Sequence, residues 1–223
     1  MSQVVAQAAP ILKAAGFRKR RHSFNRSTEP GLVQVLNFQM SAFGPPGEGA
    51  EHNRAAREVV GLLGPWYGRF TINLGVFVDE MVLEKRPEPG AWINEYDCQL
   101  RMRIGTLLAA GEDVWWSLGD QEAATGAALD AIEGAGLPWL DRLASRHGIL
   151  ASYEVNGRRG VGLPPAAPVQ IAWLLKGRHR KEADAMLRAY LEEPLSPGHR
   201  VRVETWLRDG GFEYLLDERR SLT

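Results

Sequence analysis

Residues 69–78 read RFTINLGVFV, and this stretch decides the class of fold. Phe70, Ile72, Leu74 and Val76 recur at every second position, with Thr71, Asn73 and Gly75 between them. A period of two marks a strand with one buried face. The pattern returns on either side. Leu36, Phe38 and Met40 alternate with Asn37 and Gln39 in a β-type run over 32–40. Cys98, Leu100, Met102 and Ile104 alternate with Gln99, Arg101 and Arg103, and Val114, Trp116 and Leu118 with Trp115 and Ser117. The Glu29-Pro30-Gly31 turn signal makes residues 17–40 a hairpin, and Asn156-Gly157 predicts another, pairing 150–155 with 158–163.

Helical spacing fills most of the remainder. It covers residues 3–15 (with Pro10 an awkward interior residue), 51–63, and 120–146, where Gly134 to Pro138 predicts a break. Pro164, Pro165 and Pro168 read as a junction. Beyond it, Val169–Lys176, Arg178–Glu193 and a helix opened by Ser196-Pro197 follow in succession. The expectation is an α+β fold: a mostly antiparallel sheet of about five strands with helices packed on one face over residues 1–163, plus a small C-terminal helical subdomain over 164–223.

Composition narrows the function classes. Lys plus Arg (27) balances Asp plus Glu (27), so bulk charge gives no argument for nucleic acid or membrane. The single Cys excludes a disulfide framework and a cysteine-rich zinc site. The N-terminus has no signal-peptide pattern, and no apolar run reaches about 18 residues, so a cytoplasmic location without membrane contact is expected. His22, His52, His147, His179 and His199 are scattered without metal-ligand spacing. HExxH, GxSxG, P-loop and dinucleotide motifs are absent. No metal, cofactor or catalytic residue is therefore assigned. Cys98 reads as a small buried hydrophobe, because it shares an alternation face with Leu100 and Met102.

Several motifs come in a distinctive order: Gly16-Phe17 then Phe24, Asn37-Phe38-Gln39, Phe70 to Gly75, Cys98 with Arg103-Ile104-Gly105, Trp115-Trp116, and Leu137-Pro138-Trp139-Leu140. This ordered set resembles the bacterial domain of unknown function 4304 over about residues 5–146, with a long insertion around 43–66. The helical tail lies outside the resemblance. The family carries no defined catalytic residues. Some members are placed in bacterial toxin–immunity neighbourhoods, so the resemblance implies a protein-binding, immunity-like role.

The polar sides of the strands define a working surface: Asn37, Gln39, Thr71, Asn73, Gln99, Arg101, Arg103 and Trp115. Arginine and amides make directional hydrogen bonds, and Trp offers a flat anchor, so the composition differs from the Glu/Lys mixture of a merely solvated face. The leading expectation is a non-catalytic module binding another protein through this face. The alternative is an enzyme acting on an anionic small molecule or nucleotide held by the same arginines. A third reading gives nucleic acid to a secondary basic patch of Arg18, Arg20, Arg21 and Arg26. Charge balance weighs against that one, since residues 111–136 carry six acids and no Lys or Arg and could neutralise the patch. A further basic run, Arg178 to Lys181, opens a helix against its macrodipole; a solvated helix start is expected, the alternative being contact with an acidic partner or with the acidic 111–136 segment.

Overall fold

The computed structural model describes residues 1–41, 68–83, 86–88, 90–108 and 110–221; the helix expected over 51–63 lies outside them. The centre of the molecule is an antiparallel pair, β3 (Leu32–Met40) and β4 (Arg69–Val78), in register from Leu32 opposite Val78 to Met40 opposite Phe70. On β3's other side lie β2 (Ser23–Glu29) and then β1 (Arg18–Arg20). β4's far edge carries two short strands at different heights, β5 (Leu100–Arg103) and β6 (Trp116–Ser117). Every pairing is antiparallel, and the class is α+β. The expected single hairpin over 17–40 is thus three strands. Pro30 and Gly31 connect β2 to β3, with Gly31 at φ 74° supplying the left-handed angle that a type II turn needs after proline.

Helices cover one face. Helix α1 (Ser2–Ala14) lays Val4, Val5, Ala8 and Leu12 on it; Pro10 stays inside the helix because its ring is on the exposed side. Helix α2 (Gln121–Ala131) passes through a π-helical turn at Ile132–Gly136 into α3 (Leu137–Arg142). The break expected near Gly134–Pro138 is therefore a widened turn within a continuous helical path. These helices bury Phe24, Leu36, Phe38, Phe70, Ile72, Leu74 and Trp139 in one core.

The second expected hairpin is not formed. Residues 146–160 are helix α4 (Arg146–Gly160), capped by Ser145, whose hydroxyl accepts from the Gly148 amide at 3.0 Å. Ile149 is buried, and Leu150 and Tyr153 pack against the core, which is helical spacing. Asn156-Gly157 satisfies its preference for a left-handed glycine by kinking the helix, with Gly157 at φ 64°. Four further helices follow: α5 (Ala167–Leu175), α6 (Arg180–Glu192), α7 (Pro197–Asp209) and α8 (Tyr214–Ser221). They bury a second apolar cluster around Trp173, Leu187, Leu207 and Phe212. Helix α5 bridges the two clusters, with Ala167 and Ile171 in the first and Val169, Ala172 and Trp173 in the second. The Arg178–Lys181 run is exposed, as a solvated helix start requires, and within it Arg180 pairs with Asp184 at 3.5 Å and stacks on Phe212.

Arg146 fastens the helical layer to the sheet's end. Its guanidinium donates to Glu29 at 2.9 Å, to the Pro30 carbonyl at 3.0 Å and to both Glu80 oxygens. Burial pushes the Glu80 carboxyl up, but hydrogen bonds and charge from Arg146 outweigh it, so its pKa falls below the usual value. A carboxyl lowered in the folded state adds stability above its unfolded pKa and loses it as pH falls through the folded one. Arg146→Met is expected to cost about 1–3 kcal/mol in urea denaturation at pH 7. The difference from wild type should shrink once the pH drops below the ordinary glutamate range.

Candidate functional site

The register arranges the non-helical face in rows across the sheet. One row is Arg20, Ser23, Asn37, Asn73 and Arg103; the next is Arg18, Asn25, Val35, Gly75 and Arg101. The alternation therefore places the arginines of both sheet edges on the face opposite the main core. This face is only partly open. Val82, Ile93 and Cys98, from the segment between β4 and β5, cross it and form a small apolar cluster with Val35 and Phe77. The crossing depends on Gly75: a Cβ there would stand 2.6 Å from Cys98 Sγ and 2.9 Å from Cys98 Cβ. Cys98 therefore belongs to this second cluster, not to the main core with Leu100 as its alternation suggests. It precedes β5 and follows a 3-10 turn (Glu95–Asp97), where strand periodicity no longer sets side-chain direction.

Beyond the crossing lies an open groove of about 840 Å³ between the sheet face and the C-terminal helices. Gln39, Asn73, Gln99, Arg101 and Arg103 line its sheet side, and Arg159, Gln170 and Trp206 line the opposite wall. The walls meet where the Arg101 amide donates to the Gly162 carbonyl at 2.8 Å. Gly162 lies so close to β5 that a Cβ would fall 2.3 Å from the Arg101 carbonyl oxygen.

The expected residues have unequal roles. Arg101 is engaged by Glu95 in a two-pronged contact at 2.7 and 3.1 Å. Its pKa is raised first by that hydrogen bond, against the opposing effect of burial. Arg103 is less committed: Asp113 is 3.8 Å away, the Trp115 ring lies 5.0 Å beneath the guanidinium, and Nη1 is buried without a hydrogen-bond partner among the described residues. Trp115 donates to Asp113 at 3.1 Å. Asn73 donates to Gln39 at 2.7 Å. Gln99 is structural, accepting from the Val78 amide at 2.7 Å and donating to the Asp97 carbonyl at 3.1 Å. Thr71 is fully buried, and its hydroxyl has no hydrogen-bond partner among the described residues. Asn37 lies outside the groove, in a pocket with Arg20 and Trp92.

Arg26 leaves the basic patch. It donates to Gln34 at 2.8 Å, to the Ala15 carbonyl at 2.9 Å and to Asp141 at 2.6 Å, and stacks over Phe17. It tethers helices to the sheet on the core side, because Arg26 has opposite parity to Asn25. Arg18, Arg20 and Arg21 are exposed, and none forms an ion pair with a described residue. The acids of 111–136 reach Arg103 through Asp113, not this patch.

Glu95, Tyr96, Arg159, Gln170 and Trp206 were not foreseen. They reach the groove through a loop and helices from a distant part of the chain, and no strand or motif pattern announces that. Among the described residues, no cluster of His, Cys, Asp and Glu is arranged to hold a metal, and no helix is long and apolar enough to cross a membrane. Burial, with the Glu95 and Asp97 charges, raises the Cys98 thiol well above its usual pKa.

The sequence model of one family, described as a domain of unknown function (DUF4304), matches residues 8–49 and 51–142. No curated protein and no solved structure matches the chain. The match ends before Arg159, Gln170 and Trp206, so only one wall of the groove lies within it.

In the folded protein, Cys98 should react slowly with a thiol reagent even at pH 9, and rapidly in urea. Gly75→Ala should destabilise by about 1–3 kcal/mol. Cys98→Ala should restore only part of that loss, since it removes the sulfur but keeps the close Cβ.

Proposed function

The chain belongs to the DUF4304 family, and on that premise we propose that it is a binding module holding a segment of another protein in the groove between sheet and C-terminal helices. The observation that carries this reading is what the groove gathers. Arg103, Arg159, Trp206 and Tyr96, the last 70% exposed, are the residue types on which binding energy concentrates in protein interfaces. They line an open groove that is mixed in charge, which suits a polypeptide segment. Arg103 and Arg159 are the cations offered to a partner, since Glu95 already engages Arg101. In this reading the protein is a bacterial, cytoplasmic, immunity-like binder, and the C-terminal helices set its specificity because they supply the wall outside the family match.

The rival occupant is an anionic small molecule, as substrate or ligand. The buried Nη1 of Arg103, without a hydrogen-bond partner among the described residues, favours it. The two carboxylates that line the groove are engaged, Glu95 by Arg101 and Asp97 by Asn94 at 2.9 Å, so neither is free to serve as a base on a substrate held there. For this reason the protein reading is preferred.

A photo-crosslinking residue at Tyr96 should give a discrete adduct with one partner in cells. Placed at Val201, which is exposed on α7 away from the groove lining, it should give none. Arg103→Ala/Arg159→Ala should abolish the Tyr96 adduct without lowering the midpoint of thermal unfolding. Equal adducts at both positions, or an unchanged adduct in the double variant, would remove the groove from the reading.

A further inference from the structure

A second polar pocket, of about 490 Å³, lies on the same sheet face across the 91–98 segment from the groove. Arg20, Arg21, His22 and Ser23 reach it from the β1–β2 turn, Asn37 from β3, and Trp92 and Asn94 from the crossing segment. Trp92 also walls an adjoining pocket of about 700 Å³ that contains Arg18 and Asn25.

Three observations separate this cradle from a solvated turn. The first is uncompensated charge. Arg18, Arg20 and Arg21 form no ion pair with a described residue, whereas Arg26, Arg101 and Arg146 are all neutralised. The second is the backbone. Arg20 pairs with Ser23, leaving Arg21 and His22 as a two-residue turn, and Arg21 adopts φ 57°. It is the one non-glycine at positive φ among the described residues. In such turns that position favours glycine, and a long cation there is strained. The third is unmade hydrogen bonds: Ser23 Oγ and Asn25 Oδ1 are buried without a partner among the described residues, on one lining residue of each pocket. The hydroxyl keeps an unused donor and the amide oxygen an unused acceptor on residues that line the two pockets.

We infer that this cradle binds a mononucleotide-class ligand, with its phosphate on Arg20, Arg21 and the Ser23 hydroxyl and its ring against Trp92. Arginine supplies the fork that matches phosphate oxygens, the indole supplies a flat stacking surface, and Asn25 supplies an acceptor on the ring's side. The site is distinct from the groove, and its occupancy is independent of the partner proposed there.

Calorimetric titration of the full chain with adenosine monophosphate, inorganic phosphate and a short oligothymidylate tests it. The nucleotide should bind at least about tenfold more tightly than inorganic phosphate. Trp92→Ala should erase that difference. Arg21→Gly should lose nucleotide binding by about tenfold or more while raising the thermal midpoint, since glycine relieves the strained turn; loss of binding then cannot reflect unfolding. No nucleotide binding by the wild type, or equal binding by wild type and Arg21→Gly, would overturn the site. Tighter binding of the oligothymidylate than of the mononucleotide would overturn the ligand class in favour of a nucleic-acid strand.

Discussion

Both candidate sites take their position from the pairing of β3 with β4. That register runs unbroken from Leu32 opposite Val78 to Met40 opposite Phe70, and the period of two then fixes the face of every side chain in the pair. A one-residue slip would carry Phe70, Ile72 and Leu74 out of the helix-covered core and drive Asn73 into it. The core thus enforces the register, and the register places Asn37, Asn73 and Arg103 in one line.

That line is why so much of the surface was legible in the sequence. Alternation correctly placed Arg101 and Arg103 opposite the main core, with Gln39, Thr71 and Asn73. It failed where the strand stopped. Cys98 sits before β5, its direction set by a 3-10 turn and by its seat on Gly75, so extrapolating the alternation put it in the wrong cluster. Arg26 shows a different limit. Proximity in sequence grouped it with Arg18, Arg20 and Arg21, but strand parity sends it to the other face, where Gln34 and Asp141 hold it.

Asn156-Gly157 shows how a local signal can be right about backbone and wrong about topology. Gly157 does take a left-handed angle, yet Ser145 caps a helix and Ile149 is buried upstream, so the glycine bends that helix instead of reversing a strand. The opposite wall of the groove lay beyond any local signal. Arg159, Gln170 and Trp206 reach it only because α5 shares its residues between two apolar clusters, which is a property of tertiary packing.

The crossing segment determines how the two sites relate. Trp92 and Asn94 face the cradle, while Glu95, Tyr96, Asp97 and Cys98 face the groove. Between them Ile93 is buried in the apolar cluster with Val35 and Phe77, and Cys98 rests on the one residue of β4 that has no side chain to displace it. A partition anchored at both points cannot swing toward either occupant without opening that cluster and exposing apolar surface to water. It therefore behaves as a wall, and a neutral chain can present a cationic cradle on one side and a mixed, aromatic groove on the other without the two surfaces merging into one positive strip.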